Sequence, residues 1–334
     1  MSSALPAPSE LRRIAITAAA ACAPRLVRAF RSTPADLNLT TKRSSHDLVT
    51  VHDRATEDEL VRLLGEAVPG SRFIGEEGGA RGSEPGPGGG PAASSAGPAG
   101  PGSDSGQVSG FPADVHRLEW IVDPIDGTAN FAHGFAMFSI SIAAAVDGEV
   151  VAGVVLDPVN GLEFSADEAG AYLNGVRFGA EAASVDATRA VEAVHLADPP
   201  AEASMNLVTS YPSAEALELD GPVALERFGR LVDSYATVRR TVSGALELAF
   251  TAIGWADVTL GVDTNPWDVG VGQLLVRRAG GQYLALFYDT DGPERRPAHL
   301  APCYVAVAPG RVAPTAVRVL EETVAVRRTA GYRR

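Results

Sequence analysis

The chain has 334 residues, 46% of them hydrophobic and 21% charged, which is the composition of an ordinary globular protein with room for a large core and two domains. Its 28 Lys and Arg against 41 Asp and Glu leave a formal charge of −13, which argues against nucleic acid and anionic membrane as partners, because both reward basic patches. The only cysteines, Cys22 and Cys303, give no disulfide framework and point to a reducing, cytoplasmic setting, and no run of 18 apolar residues offers a membrane span.

The first candidate element, "RRIAITAAAACA", has the outline of a signal peptide, but Ile14 and Ile16 are its only strong apolar residues. Residues 9 to about 31 instead read as a packed helix with Ser9 as N-cap and a kink at Pro24. "DLVTVHDRATEDELVRLLGEAVPG" reads as a short strand or loop, then a helix with Leu60, Leu63, Leu64 and Ala67 on one side, stopped by Pro69 and Gly70. "SRFIGEEGG" reads as a short strand ending in paired acids. Residues 81 to 110 are nearly all Gly, Pro, Ala and Ser and are expected to be a disordered insertion within a domain.

Next comes "LEWIVDPIDGTANF", an apolar strand running straight into Asp123 and Asp126. The segment from residue 138 alternates and turns at Asp147-Gly148 and Asn160-Gly161, which predicts an antiparallel meander. From about residue 183 the pattern becomes alternating strands and helices, an α/β layer: strands in "VEAVHLA", "TVRRT", "ADVTLGV", "QYLALFY" and "YVAVA", helices in "PVALERFGRLVDSY", "SGALELAFTAIG" and "WDVGVGQLLVRRAG", and a last helix over 313–326. The expected division is residues 1–183, carrying an antiparallel sheet with helices and the acidic motifs, and residues 184–334, an α/β domain.

Three acidic clusters end strands or start helices: Glu76-Glu77, Asp123 with Asp126, and Asp268 in "NPWDVG". Singly they are a solvated turn, an Asp-Pro/Asp-Gly turn and a helix-start acid. Together they supply the all-oxygen set that Mg²⁺ prefers, at roughly 2.0–2.1 Å. Pro124 stiffens the turn between the aspartates, and Ile125 can add its carbonyl. Gly127 and Thr128 open a helix whose free N–H groups suit an anion. Metal-binding carboxylates beside a phosphate-binding helix start imply phosphoryl chemistry. Six histidines without H-E-x-x-H spacing give no support for zinc. His133, in "NFAHGF", fits a surface or structural role better than a general acid.

On "GEE" (75–77), "WIVDPIDGTANF" (120–131), "PWDVGVGQLLVRRAGG" (266–281), "KRSSHDLVTVHD" (42–53) and the meander, the chain resembles the inositol monophosphatase family, lithium-sensitive Mg²⁺-dependent phosphomonoesterases. The resemblance implies a layered α-β-α-β-α sandwich and two or three Mg²⁺ ions. Glu76, Asp123 and the Ile125 carbonyl would hold the first, and Asp123, Asp126 and Asp268 the second. Glu76 with Thr128 would orient and deprotonate the attacking water, with Asp53 close behind. Gly127 and Thr128 would hold phosphate oxygens, Asp126 and Asp268 would also meet the substrate, and Ser243 and Gly244 would line its organic part. Lys42 and Glu77 are matching polar positions near the metals. Family members acting on inositol phosphate often carry an acid seven positions before the W-D aspartate; here that position is Gly261, with Asp263 as a possible substitute. The expected activity is hydrolysis of a cyclitol or sugar phosphate. Alternatives are histidinol phosphate, an aminocyclitol phosphate, a nucleoside phosphate, or a non-catalytic regulatory member of the same fold. Family members are commonly dimers, so a homodimer is expected.

Overall fold

The computed structural model describes residues 5–31, 40–41, 48–49, 51–82, 118–179, 200–289 and 296–333. In chain order the first half contains α1 (Pro8–Phe30), β1 (Thr40–Thr41), β2 (Leu48–Val49), α2 (Val51–Ala67), β3 (Arg72–Gly75), β4 (Gly79–Gly82), β5 (Leu118–Asp126), the short α3 (Thr128–Ala132), and β6 (Ser139–Val146), β7 (Glu149–Asp157), β8 (Leu162–Asp167), β9 (Gly170–Leu173) and β10 (Val176–Phe178). The second half contains β11 (Asn206–Thr209), α4 (Ala214–Asp220), α5 (Pro222–Ser234), β12 (Thr237–Arg239), α6 (Gly244–Ile253), β13 (Val258–Val262), α7 (Pro266–Arg278), β14 (Gln282–Leu286), β15 (Cys303–Val307) and α8 (Pro314–Thr329).

Two large sheets result. One has eight strands in the order β10-β9-β8-β7-β6-β5-β3-β4, and the other five in the order β12-β11-β13-β15-β14. The meander is antiparallel throughout. Its first turn has φ 51° at Asp147 and 84° at Gly148, the positive pair that a two-residue hairpin needs. Buried residues of α1 and α2, such as Leu11, Leu26, Leu60 and Leu64, pack with Trp120, Val122, Ile140 and Ile142 of the eight-stranded sheet. Ile121 and Ala143 on its other face join Leu246, Leu248, Val271 and Leu275 of α6 and α7, and so do Tyr304 and Ala306 of the second sheet. The outer face of that sheet, through Leu207, Leu260 and Val305, is covered by Ala224 and Leu231 of α5 and Val319 and Leu320 of α8. These are the five layers of an α-β-α-β-α sandwich. Alternation along β5 makes this possible, because Trp120 and Val122 point one way and Ile121 the other.

Some expectations shift. Helix α1 runs through Pro24 over nearly the expected length, but it starts at Pro8 with Ala7 as its N-cap, so Ser9 lies inside the helix and does not cap it. On α2 Ala67 is exposed, and Val68, just past the helix, takes the buried place. Arg81 and Gly82 belong to β4, opposite Phe73 and Arg72, so the Gly/Pro-rich segment starts two residues later than its composition indicates. The rest of that segment, the expected strand "VEAVHLA", and Lys42 lie outside the described residues. Helix α4 was not expected; Ser213 caps it by accepting from Ala216 N at 3.1 Å.

Candidate active site

The site begins with a register. β3 and β5 run parallel, with Gly75 opposite Val122, so the residues that follow each strand emerge side by side. Glu76 follows β3 and donates its N–H to Val122 O at 3.3 Å, next to Asp123. Pro124 has no N–H for the ladder, and the β5–β6 register shifts between Asp123 and Asp126. Asp123 turns back to accept from Ile125 N at 3.0 Å. The chain then leaves the strand through Gly127, at φ 96°, where a Cβ would lie 2.9 Å from Met137 O. Only glycine fits both the conformation and the space.

Thr128 opens α3, and its hydroxyl lies 3.0 Å from both Asp53 Oδ1 and the Ile125 carbonyl. Asp53 is buried in the first turn of α2. The threonine proton therefore has two acceptors inside the protein, and the lone pairs on its oxygen can accept a hydrogen bond from another donor, such as a water.

Asp126 reaches across to the layer between the sheets. Its Oδ1 accepts from Gly244 N at 3.0 Å, and its Oδ2 from Ala245 N at 3.1 Å, Ser139 Oγ at 3.2 Å and Ser243 Oγ. It thus caps α6 from a different strand, taking up N–H groups that a helix start leaves without partners. Asp268 stands in the first turn of α7 and accepts from Asn265 N at 2.7 Å. Gly244 lies between them: a Cβ there would be 3.4 Å from Asp268 Cβ and 3.9 Å from Asp126 Oδ1.

Burial pushes the Asp123 carboxyl well above the usual carboxylate range, and the charges of Glu76, Asp126, Asp268 and Asp53 push it the same way. Burial raises Asp126 to about 6 even though four hydrogen bonds oppose the rise. The four groups that the sequence put in three separate motifs, and Asp53, therefore occupy one field of mutual repulsion. Among the described residues, no group of three or more His, Cys, Asp or Glu side chains is disposed as a finished metal site. At least one oxygen of each of Asp123, Asp268 and Asp53, and both oxygens of Asp126, accept from protein donors. In donor chemistry the set fits a hard cation. It is all oxygen, three of its members (Asp53, Asp123 and Asp126) are buried, and its internal repulsion is what a divalent ion would relieve.

Beside Asp268 lies a cavity of about 210 Å³, lined among others by Tyr211, Val242, Ser243, Gly244, Asp263 and Tyr304. Val242 holds φ 57°, which is strained for a β-branched residue. It is kept there by Glu247, whose Oε1 accepts from Val242 N at 3.1 Å and Thr241 Oγ1 at 2.7 Å. Asn130 holds the same segment from the other side, donating to Thr241 O at 2.6 Å.

Gly261 also borders this cavity, and its missing side chain has a structural counterpart. β13 and β15 pair with Gly261 opposite Tyr304, and a Cβ on Gly261 would lie 2.2 Å from the tyrosine ring. The ring covers the glycine and stacks on Tyr283 at 5.1 Å. Asp263 does not offer a spare acid in its place. Its Oδ2 pairs with Arg327 Nη1 at 2.6 Å, and its Oδ1 accepts from Tyr288 at 2.8 Å and Tyr332 at 3.3 Å. Gly261→Ala is therefore expected to destabilise the protein by about 2 kcal/mol through overpacking against the buried ring. Urea denaturation checks this, and an unchanged midpoint would mean that Tyr304 moves aside freely.

His133 is exposed, with Nδ1 2.7 Å from Ala129 O at the end of α3, a helix-end contact. Glu77 has its side chain nearly buried, with Arg54 at 3.8 Å. Residues that reasoning from sequence passed over are Ser139, Asn130, Glu247, Tyr304 and Glu57. Of these only Glu57 left a local signal, its four-residue spacing from Asp53 on one helix face.

Comparison with known proteins bears on the family and the fold. The sequence profile of the inositol monophosphatase family matches residues 7–325. The Nus factor SuhB of Escherichia coli K12 is 31% identical over 242 residues, covering 72% of each chain. Among solved structures, the extragenic suppressor protein suhB of Bartonella henselae superimposes with TM-score 0.67 at 23% identity, over 94% of this chain and 98% of its own. The Thermotoga maritima IMPase gives 0.64 at 24% identity, over 93% and 96%. A profile match over nearly the whole length, joined to the layered fold, leaves one conclusion: this chain belongs to the inositol monophosphatase family.

Proposed function

We propose that the protein is a Mg²⁺-dependent phosphomonoesterase acting on a cyclitol or sugar phosphate. The observation that carries this reading is the field of five carboxylates, with Asp53, Asp123 and Asp126 buried, Glu76 and Asp268 partly exposed beside them, and the Thr128 hydroxyl held against Asp53. A phosphate monoester could not approach so many carboxylates unless cations neutralised them. Glu76, Asp123, the Ile125 carbonyl, Asp126 and Asp268 would hold Mg²⁺. When bound, the ion supplies charge neutralisation for the phosphoryl oxygens and for the leaving alcohol. Asp53 and the Ile125 carbonyl draw the Thr128 proton inward, so the hydroxyl oxygen is turned to accept from a water, which Glu76 would deprotonate. The N–H groups of Gly127 and Thr128 would meet phosphate oxygens, and the cavity between Ser243, Gly244 and Tyr304 would take the organic part.

Burial and strain support this assignment of roles. Gly127 has no room for a side chain, and Val242 is held in a conformation it would not choose, as occurs where a site is organised in advance. Both cysteines are buried and free, and no described helix is long and apolar enough to cross a membrane, in keeping with work in the cytoplasm. A homodimer is proposed on the family resemblance alone. A second reading, a regulatory factor that keeps the fold without turnover, draws on the relatives named Nus factor. Retention of every carboxylate of the set favours turnover.

The test is a phosphate-release screen with Mg²⁺ over inositol, sugar, histidinol, aminocyclitol and nucleoside monophosphates. Release from a cyclitol or sugar phosphate above the others is expected. Release from the histidinol or nucleoside compound alone would overturn the substrate class, and no release from any would favour the regulatory reading.

A further inference from the structure

Glu57 has no part in the roles given above, yet it is 1% exposed and lies one turn beyond Asp53 on the buried face of α2. A fully buried carboxylate needs a reason. Its Oε2 accepts from the backbone N–H of Glu77 at 2.8 Å. A Cβ on Gly75 would lie 2.4 Å from that same Oε2, 2.5 Å from its carboxyl carbon and 2.8 Å from Oε1. Gly75 lies in β3, outside the left-handed region, so the backbone conformation does not call for glycine there. Close approach does: Gly75 makes room for the Glu57 carboxylate.

Glu76 stands between these two anchors. On one side the glycine that precedes it rests on Glu57, and on the other the residue that follows it donates to Glu57. We infer that Glu57 is a positioning residue that fixes the Gly75–Glu77 turn and so aims Glu76 at the cation site. One face of α2 then sets two groups a turn apart: Asp53 holds Thr128, and Glu57 holds the turn carrying Glu76. The inference rests on the proposed Mg²⁺ chemistry and deepens it. Groups that hold a metal ligand in place commonly change metal affinity or activity by about 10- to 100-fold when removed.

Calorimetric titration of MgCl₂ into the full-length protein tests this without any substrate. Glu57→Ala should weaken Mg²⁺ binding by about tenfold or more. Glu57→Gln keeps an oxygen that can accept from Glu77 and should stay close to wild type. Gly75→Ala leaves Glu57 in the chain but pushes its carboxylate out of the turn, so it should weaken binding as Glu57→Ala does. Once Glu57 is Ala the added methyl has room, so the double variant should be no worse than the weaker single. Melting in EDTA reports folding separately, and if Glu57→Ala fails to fold, Gly75→Ala and Glu57→Gln carry the test. Wild-type affinity in both Ala variants would overturn the inference. So would a Gln variant as weak as Ala, because that would make charge, not the hydrogen bond, the contribution. A wild type that binds no Mg²⁺ would instead refute the metal reading itself.

Discussion

Asp126→Asn should lower turnover by at least a hundredfold while changing stability by no more than about 2 kcal/mol. Two effects on the fold oppose each other. The asparagine amide has one oxygen where the carboxylate had two, so its NH₂ must face either Gly244 N–H or Ala245 N–H. Leaving one buried donor without an acceptor costs about 1–3 kcal/mol. Against that, burial raises the Asp126 carboxyl from 3.8 to about 6, so carrying its charge at neutral pH costs the metal-free fold on the order of 3 kcal/mol. These nearly cancel. The loss in catalysis has no such offset, because Asn lacks the charge that a cation would need. Steady-state phosphate release and thermal melting on one preparation separate the two effects. Wild-type turnover in a normally folded variant would remove Asp126 from the proposed chemistry.

Glu247→Gln should remove a pH-dependent loss of stability. The buried Glu247 carboxyl is raised from 4.5 to about 7, chiefly by desolvation, with the charge of Asp126 adding to it. Because its folded value lies above its unfolded one, its contribution is fully present below about pH 4.5 and is lost as pH rises through about 7. At about 1.4 kcal/mol per pH unit, the Gln variant should gain roughly 2–3 kcal/mol on the wild type between pH 5 and pH 8. The comparison must be a difference between proteins. Burial lowers His299 to about 4, which works in the opposite direction from about pH 6.5 downward, and that term is common to both. Urea titrations in EDTA at the two pH values give the result. Parallel stability curves would mean that Glu247 holds the Thr241–Val242 segment as a permanent anion.

How much of this could be read from the sequence depends on how local each feature is. "WIVDPIDGTANF" announces itself because strand, turn and helix start are contiguous, and the structure places Asp123, Asp126 and Thr128 in that order along one exit from β5. The meander and the alternating strands and helices are legible at similar range, whereas the five-layer stacking is what the family resemblance implies. What the sequence hides is register. Nothing in the glycine at 261 reveals that a tyrosine 43 positions later will lie across it, since the pairing of β13 with β15 decides that. The same holds for Glu57, whose meaning depends on a turn some 20 residues away closing over it. Asp263 misleads for a related reason: it stands near the expected position, but the last helix brings Arg327 onto it. Asp126 was legible as an acid at a site, whereas its capping of α6, 118 residues away, depends on how the layers stack.

The central claim is that this carboxylate field works only with a divalent cation. It is tested most directly by following phosphate release in a single sample with Mg²⁺, then after excess EDTA, then after Mg²⁺ is restored. The account predicts release, its loss, and its return on the preferred phosphomonoester. Undiminished release in excess EDTA would contradict it.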